Sequence, residues 1–222
     1  MTSFGDILKT AEKRAGGKAA LAKRLPMPKS TAELRATGDD RYLSLMSRRV
    51  FRAGLRHGMV DDRWPAFEEV FLGFDPKRVR AMSDEAIEAL MNDTRLIRHW
   101  PKLKSVRENA AAIAAVAEEN GSFGAHLADW PANNVVGLWE DLTKRCKQMG
   151  GNSGPTFLRM TGRDTFILTD HVVQGLNQWG VVDGQPKGKG ACRQVQEAFN
   201  RWATETQKPL CHLSMILAAS VR

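Results

Sequence analysis

Apolar residues recur along the chain three or four positions apart, the spacing of amphipathic helices. Phe4, Ile7, Leu8 and Ala11 share one face of a helix predicted over residues 3–14, and Gly16-Gly17 ends it. A short basic segment continues to Leu25, where Pro26-Met27-Pro28 breaks the chain. Ser30 reads as the cap of a short helix from Thr31. Asp39-Asp40 caps a longer helix whose apolar positions, among them Leu43, Met46, Val50 and Phe51, are mixed with basic residues. Asp61-Asp62 precede Trp64, Phe67, Val70 and Phe71, and Asp75-Pro76 opens a short turn of helix. Ser83-Asp84-Glu85 starts another helix through Met91, with acids where the helix dipole favours them. The longest predicted helix runs from Trp100 to Asn120 and stops at Gly121. A further helix spans Val136–Met149, followed by a glycine cluster and three more helices to the carboxyl end. Only Thr165–Leu168 has strand character, so the fold class is all-α. Five tryptophans (Trp64, Trp130, Trp139, Trp179, Trp202) sit at core spacing. The predicted boundary in Pro26–Gly38 separates a basic amino-terminal helical arm, residues 1–38, from a main helical domain, residues 39–222.

With 42% hydrophobic and 26% charged residues in 222, the composition is that of a globular protein, not a disordered, collagen-like or membrane-spanning one. Cys146, Cys192 and Cys211 are too few and too scattered for a disulfide framework, and the amino terminus carries charges where a signal peptide is apolar. These features predict a soluble, reduced, cytoplasmic protein, monomeric by default, with no membrane partner. Charge changes the picture further. Residues 1–56 hold 13 Lys/Arg and 5 Asp/Glu, a net of +8 that equals the charge of the whole chain. Such asymmetry points to a polyanionic partner, with a solvated basic face as the alternative.

Three constellations are candidates for chemistry. Between Asp141 and Asp164 no acid occurs, while Lys144, Arg145, Lys147, Arg159 and Arg163 do. Inside that window Gly150-Gly151-Asn152-Ser153-Gly154-Pro155-Thr156 lies between helical segments. A glycine-rich hairpin feeding a helix amino terminus aims backbone N–H groups outward, which is a phosphate cradle. An ordinary interhelical turn has the same residues. Downstream, Asp170-His171 follows an apolar run; Asp170 is either a catalytic acid or a helix cap, a role Thr169 also fits. Third, Arg52-Ala53-Gly54-Leu55-Arg56-His57-Gly58 presents an apolar residue on a glycine-bracketed turn between arginines, suited to wedge into a base stack. A helix end with Gly58 as terminator is the alternative. His126 and His212 have no partner at ligand spacing.

Taken together, Phe51-Arg52-Ala53-Gly54-Leu55, Phe74-Asp75-Pro76-Lys77-Arg78-Val79, Leu96-Ile97-Arg98-His99 with Lys102, Glu108-Asn109-Ala110, the hairpin around Gly151–Thr156 and Asp170-His171-Val172-Val173 form an ordered set. In order and spacing they resemble the constitutive 3-methyladenine DNA glycosylases of the helix-hairpin-helix superfamily, over segments 39–110 and 140–175. The segment His212–Ala218 resembles the closing helix of such proteins. The resemblance implies a two-lobed helical domain that binds double-stranded DNA, flips a damaged nucleotide and hydrolyses the N-glycosidic bond of an alkylated purine. It assigns DNA contact to Gly54, Leu55, Lys102, Gly151, Ser153, Gly154 and Thr156, a base pocket to Arg49, His57, Arg98 and His99, and the catalytic role to Asp170.

The departures from the family pattern matter equally. Arg49 stands where the family has a base-recognising Glu, and His57 where it has a pocket Trp. A guanidinium is a poor host for a cationic purine. Of the family's zinc ligands, two Cys and two His, only His171 remains, and Gly175 occupies a ligand Cys position. No metal and no other cofactor is therefore expected. Residues 148–186 contain no lysine, so the implied mechanism is monofunctional hydrolysis rather than lyase chemistry. The family alignment places Thr169, not Asp170, at the superfamily's catalytic position. A non-catalytic DNA-binding protein on this scaffold, or a glycosylase for a different lesion, remain the alternatives.

Overall fold

A computed structural model describes residues 3–221; among them are fourteen α-helices, three short 3-10 turns and no strand. Local chemistry sets most helix starts. In α1 (Phe4–Ala15) the Ser3 hydroxyl accepts the Gly5 N–H, and Gly16 closes the helix at φ +88°. After α2 (Lys18–Ala22), α3 (Thr31–Ala36) opens with a capping box in which Ser30 and Glu33 satisfy each other's backbone N–H. Then come α4 (Asp39–Arg52) and α5 (His57–Val70). Asp75 caps α6 (Pro76–Arg80) and Ser83 caps α7 (Asp84–Ala89). The chain continues through α8 (Trp100–Asn120), α9 (Phe123–Asp129) and α10 (Val135–Arg145). Four helices follow the glycine cluster, not three: α11 (Ser153–Thr161), α12 (Asp170–Gln178), α13 (Gly188–Thr206) and α14 (Leu210–Ala219).

Several sequence expectations need correction. The cap of α4 is Gly38; the Asp39 carboxylate instead accepts the Phe123 N–H at the start of α9, 2.9 Å away. Burial there raises its pKa. The α5 helix starts at His57, so Asp61-Asp62 lie inside it and Gly58 terminates nothing. α10 ends at Arg145, because residues 146–152 make the hairpin turn. Thr165–Leu168 has no regular secondary structure and pairs with no strand; its buried Phe166 stacks on Phe199 of α13 instead of lying on a sheet.

The chain divides into two units. Unit 1 comprises the chain up to Pro28, residues 131–138 and residues from Asp164 on. Within it α1 and α12 both pack on α14. Phe4 meets Trp202 at 5.2 Å between ring centroids, and Phe166 stacks on Phe199 at 4.3 Å. The Asp164 carboxylate accepts the N–H groups of Leu210 and Cys211, both at 2.8 Å, where α14 begins.

Unit 2 comprises Lys29–Trp130 and Trp139–Arg163. α8 runs through it and packs on α4, α6 and α9. An aromatic cluster fills the space between α4 and α5: Phe51 meets Phe67 at 4.6 Å, and Trp64 stacks on Phe67 at 5.0 Å and on Phe74 at 5.5 Å. Each such ring buries enough apolar surface to contribute about 2 kcal/mol or more. This cluster anchors the carboxyl end of α4.

Candidate active site

The turn after α4 is built from that cluster outward. Ala53 closes the helix, the Leu55 N–H donates to the Arg52 carbonyl at 3.3 Å, and Gly54 adopts φ +76°. A side chain at that φ is strained, which is why glycine stands there. Leu55 is left half-exposed on the turn. The arginines around it are not equivalent. Arg52 grips Asp61 on α5 through both carboxylate oxygens, at 2.6 Å each from one nitrogen, and Arg48 lies 3.0 Å from the same carboxylate. Arg52 holds the Asp61 carboxyl below the usual range, with Arg48 adding to the effect.

Lys102 is not at the surface. It is 9% exposed, and its ammonium donates to the carbonyls of Ala53 at 2.7 Å and Phe51 at 3.2 Å. The expected direct contact with DNA is therefore replaced by a clamp on the turn that carries Leu55. Burial, and then the Arg49 charge, hold its pKa below that of an ordinary lysine. His99 has a similar supporting task. Its Nδ1 accepts the Lys102 N–H at 3.4 Å, capping α8. His57, the first residue of α5, and Arg98 are both exposed. No hydrogen bond, ion pair or ring contact among the described residues joins His57, Arg98 or His99 to Arg49.

The hairpin joins the carboxyl half of α10 to α11. Its N–H groups are used unevenly. Those of Ser153 and Gly154 close the turn on the carbonyls of Gly150 and Met149, at 3.1 Å each, and that of Thr156 bonds Asn152. Those of Gly150 and Gly151 donate to no described residue, and Gly151 takes φ +57°. Of the expected cradle donors, only the Gly151 N–H is left without a described partner, beside that of Gly150, whereas those of Ser153, Gly154 and Thr156 are used within the turn. The hairpin is pinned by a residue that the motif reading quoted without a role. Asn109, fully buried on α8, accepts the Lys147 N–H at 2.7 Å and donates to the Lys147 carbonyl at 3.2 Å. A buried asparagine flanked by the apolar residues Val106, Ala110 and Ile113 is the signal that marks it.

Arg49 links the turn side and the hairpin side of unit 2. Its guanidinium reaches the Ser153 hydroxyl at 3.5 Å, the outer limit of a hydrogen bond. Its Nε is inaccessible to solvent and has no partner. Neither Arg49 nor Lys102 forms an ion pair among the described residues. Burial lowers the Arg49 pKa, and the Arg52 charge adds to this. Arg49, Lys102 and the start of α11 therefore make one uncompensated positive site, suited to an anion or to a ligand presenting hydrogen-bond acceptors.

Asp170 lies in unit 1 as the first residue of α12, exposed and with no hydrogen-bond or ion-pair partner among the described residues. It is not the cap: the Thr169 hydroxyl accepts the Val172 N–H and fills that role. The two histidines without ligand spacing are structural. His126 Nε2 lies 3.0 Å from Asp141, and His212 Nε2 lies 2.8 Å from the Pro26 carbonyl. Burial pushes the Cys146 thiol up to about 12. The residues present do not fit the zinc of the related proteins. A Cβ at Gly175 would lie 2.8 Å from the Leu217 side chain, so a leucine fills the space of the missing ligand. No cluster of three His, Cys, Asp or Glu among the described residues is arranged for a metal.

The methyladenine glycosylase family model matches residues 34–149, which include the Leu55 turn, the Lys102 clamp and the first half of the hairpin. The chain belongs to this family. A DNA-3-methyladenine glycosylase of Haemophilus influenzae is 35% identical over 72 residues, 32% of this chain and 39% of the relative. The matched region thus spans about two fifths of that relative's length. A crystal structure of 3-methyladenine DNA glycosylase I superposes with a TM-score of 0.50 at 24% identity, covering 65% of this chain and 86% of that one. An 8-oxoguanine glycosylase/lyase of Methanocaldococcus jannaschii in complex with DNA reaches 0.55 at 13% identity over 95% and 94%. These likenesses show the fold: this family member shares the all-α fold of those two structures. No helix among its described residues is long and apolar enough to cross a membrane.

Proposed function

We propose that the protein is a DNA glycosylase that hydrolyses the N-glycosidic bond of an alkylated purine in double-stranded DNA. The observation that carries the reading is the Leu55 turn, locked by Gly54 and by the buried Lys102 within a segment that matches the methyladenine glycosylase family. In this mechanism Leu55 enters the base stack as the nucleotide leaves it. The N–H groups of Gly150 and Gly151 receive a backbone phosphate, which fixes the register on the duplex. An N3-alkylated purine is already cationic and its bond to the sugar is weak, so the enzyme mainly recognises the base and stabilises the sugar cation as the bond breaks. Asp170, unpaired and at the start of α12, supplies that carboxylate. Water completes the reaction, because no lysine lies between residues 148 and 186 to form a covalent intermediate.

Arg49 favours a second reading, in which the excised base is neutral and acceptor-rich. Its guanidinium, with an unpartnered Nε, offers donors where a cationic purine needs an acceptor. The test is single-turnover base release from duplexes carrying 3-methyladenine or a neutral carbonyl-bearing base, using wild type and Asp170→Asn. Release of 3-methyladenine that falls at least a hundredfold in the variant supports the first reading with Asp170 as its catalytic residue. Release of the neutral base alone selects the second. No release from either, with salt-sensitive duplex binding retained, refutes both and leaves a DNA-binding protein.

A further inference from the structure

The basic amino-terminal segment lies outside the family match and takes no part in the mechanism above. In unit 1, α1 turns Phe4, Ile7, Ala11 and Ala15 inward, and the remaining surface of α1 and α2 exposes Lys9, Lys13, Lys18, Lys23 and Arg24. None of these five cations forms an ion pair among the described residues. The same surface contains a cavity of about 160 Å³. Its apolar lining comes from Ala15, Leu21 and Leu25 and, in α14, from Met215, Ala218 and Ala219; Arg14 and Arg24 complete it.

Cations alone would fit any polyanion, but the cavity narrows the choice. A sugar-phosphate backbone has no apolar group to place there. An acyl chain is too long for it. A cavity of roughly 150 Å³ lined by aliphatic side chains holds one benzene, the size of one large apolar side chain. We propose that this surface binds an acidic peptide segment of a partner protein. One leucine- or phenylalanine-sized side chain fills the cavity, while Arg24, with Lys18 and Lys23 nearby in sequence, holds the carboxylates around it. The site would recruit the protein to its partner without occupying the Leu55 turn or the hairpin, both of which belong to unit 2.

Fluorescence anisotropy of a labelled short Asp/Glu peptide carrying one phenylalanine tests this, beside the same peptide with serine in its place. Wild type is expected to bind the phenylalanine peptide at least about tenfold more tightly, the worth of one buried apolar side chain. Ala218→Leu, which fills the cavity, should erase that difference, and Arg24→Glu should weaken both peptides about tenfold. Thermal melts establish that each variant is folded. Equal binding of the two peptides by wild type, or insensitivity to both substitutions, overturns the proposal. So does displacement of the peptide by duplex DNA whose own binding is weakened by Arg24→Glu but not by Ala218→Leu, which would make this surface a nucleic-acid contact.

Discussion

Replacing Lys102 by Met removes the ammonium while keeping most of the apolar stem, and so isolates the clamp on the Leu55 turn. Two hydrogen bonds disappear, to Ala53 at 2.7 Å and to Phe51 at 3.2 Å. A hydrogen bond to a charged group contributes about 1.5–3 kcal/mol. Against that stand the burial of the ammonium and its repulsion by Arg49, both of which lower its pKa. Water can also reach the half-exposed Ala53 once the lysine is gone. The net loss is then about 2–4 kcal/mol, or a Tm lower by about 4–16 °C for a chain of this size. Linkage gives an independent check. A lysine with a depressed folded-state pKa binds fewer protons folded than unfolded, so stability rises with pH from the folded pKa up to the unfolded value near 10.5. Wild type should therefore gain on Lys102→Met as pH increases towards that value. Differential scanning calorimetry at neutral and alkaline pH reads both effects, and amide exchange at Gly54 and Leu55 reads the loosened turn. A variant with wild-type Tm and wild-type exchange at those amides would refute the clamp.

Three further outcomes follow from other contacts. Asn109→Ala removes both bonds to Lys147 from a fully buried position, so the Lys147 amide should lose exchange protection and stability should fall by about 1–3 kcal/mol. Gly124→Ala places a methyl group against the Leu34 carbonyl, which also accepts the buried Tyr42 hydroxyl at 2.7 Å; despite the better helix propensity of alanine, a net loss of about 1–3 kcal/mol is expected in chemical denaturation. Asp61 has a depressed carboxyl pKa, so its stabilisation is present above about pH 4 and is lost as pH falls through the folded value. Asp61→Asn should cost under ~1 kcal/mol at neutral pH, and the gap between the two proteins should close on acidification.

The positive site beside Arg49 bears on substrate choice more than on stability. A family member that placed a carboxylate there would welcome a cation, whereas this chain presents a guanidinium with an unpartnered Nε beside a buried ammonium whose pKa burial and then the Arg49 charge lower. That difference makes the neutral-base duplex as informative a substrate as the methylated one.

Much of what depends on neighbours in sequence was legible from the sequence by itself, although the starts of α4 and α5 and the end of α10 were not. The Ser30 cap, the Asp75 cap, the Gly16 and Gly121 stops, and the turn at Gly54 each need only a few consecutive residues, because caps and turns are satisfied within one helical turn. Ordered motifs carried the family for the same reason, since spacing along the chain survives where identity has drifted. The tasks of long polar side chains were decided by tertiary structure. Lys102 reads as a surface cation until its ammonium meets carbonyls 49 and 51 residues away. Asn109 is one polar residue among alanines until it closes on Lys147, and Asp39 looks like a cap until it is drawn to Phe123. Buried charges and amides must find partners wherever the fold supplies them, and those partners are set by how helices pack rather than by what lies next along the chain.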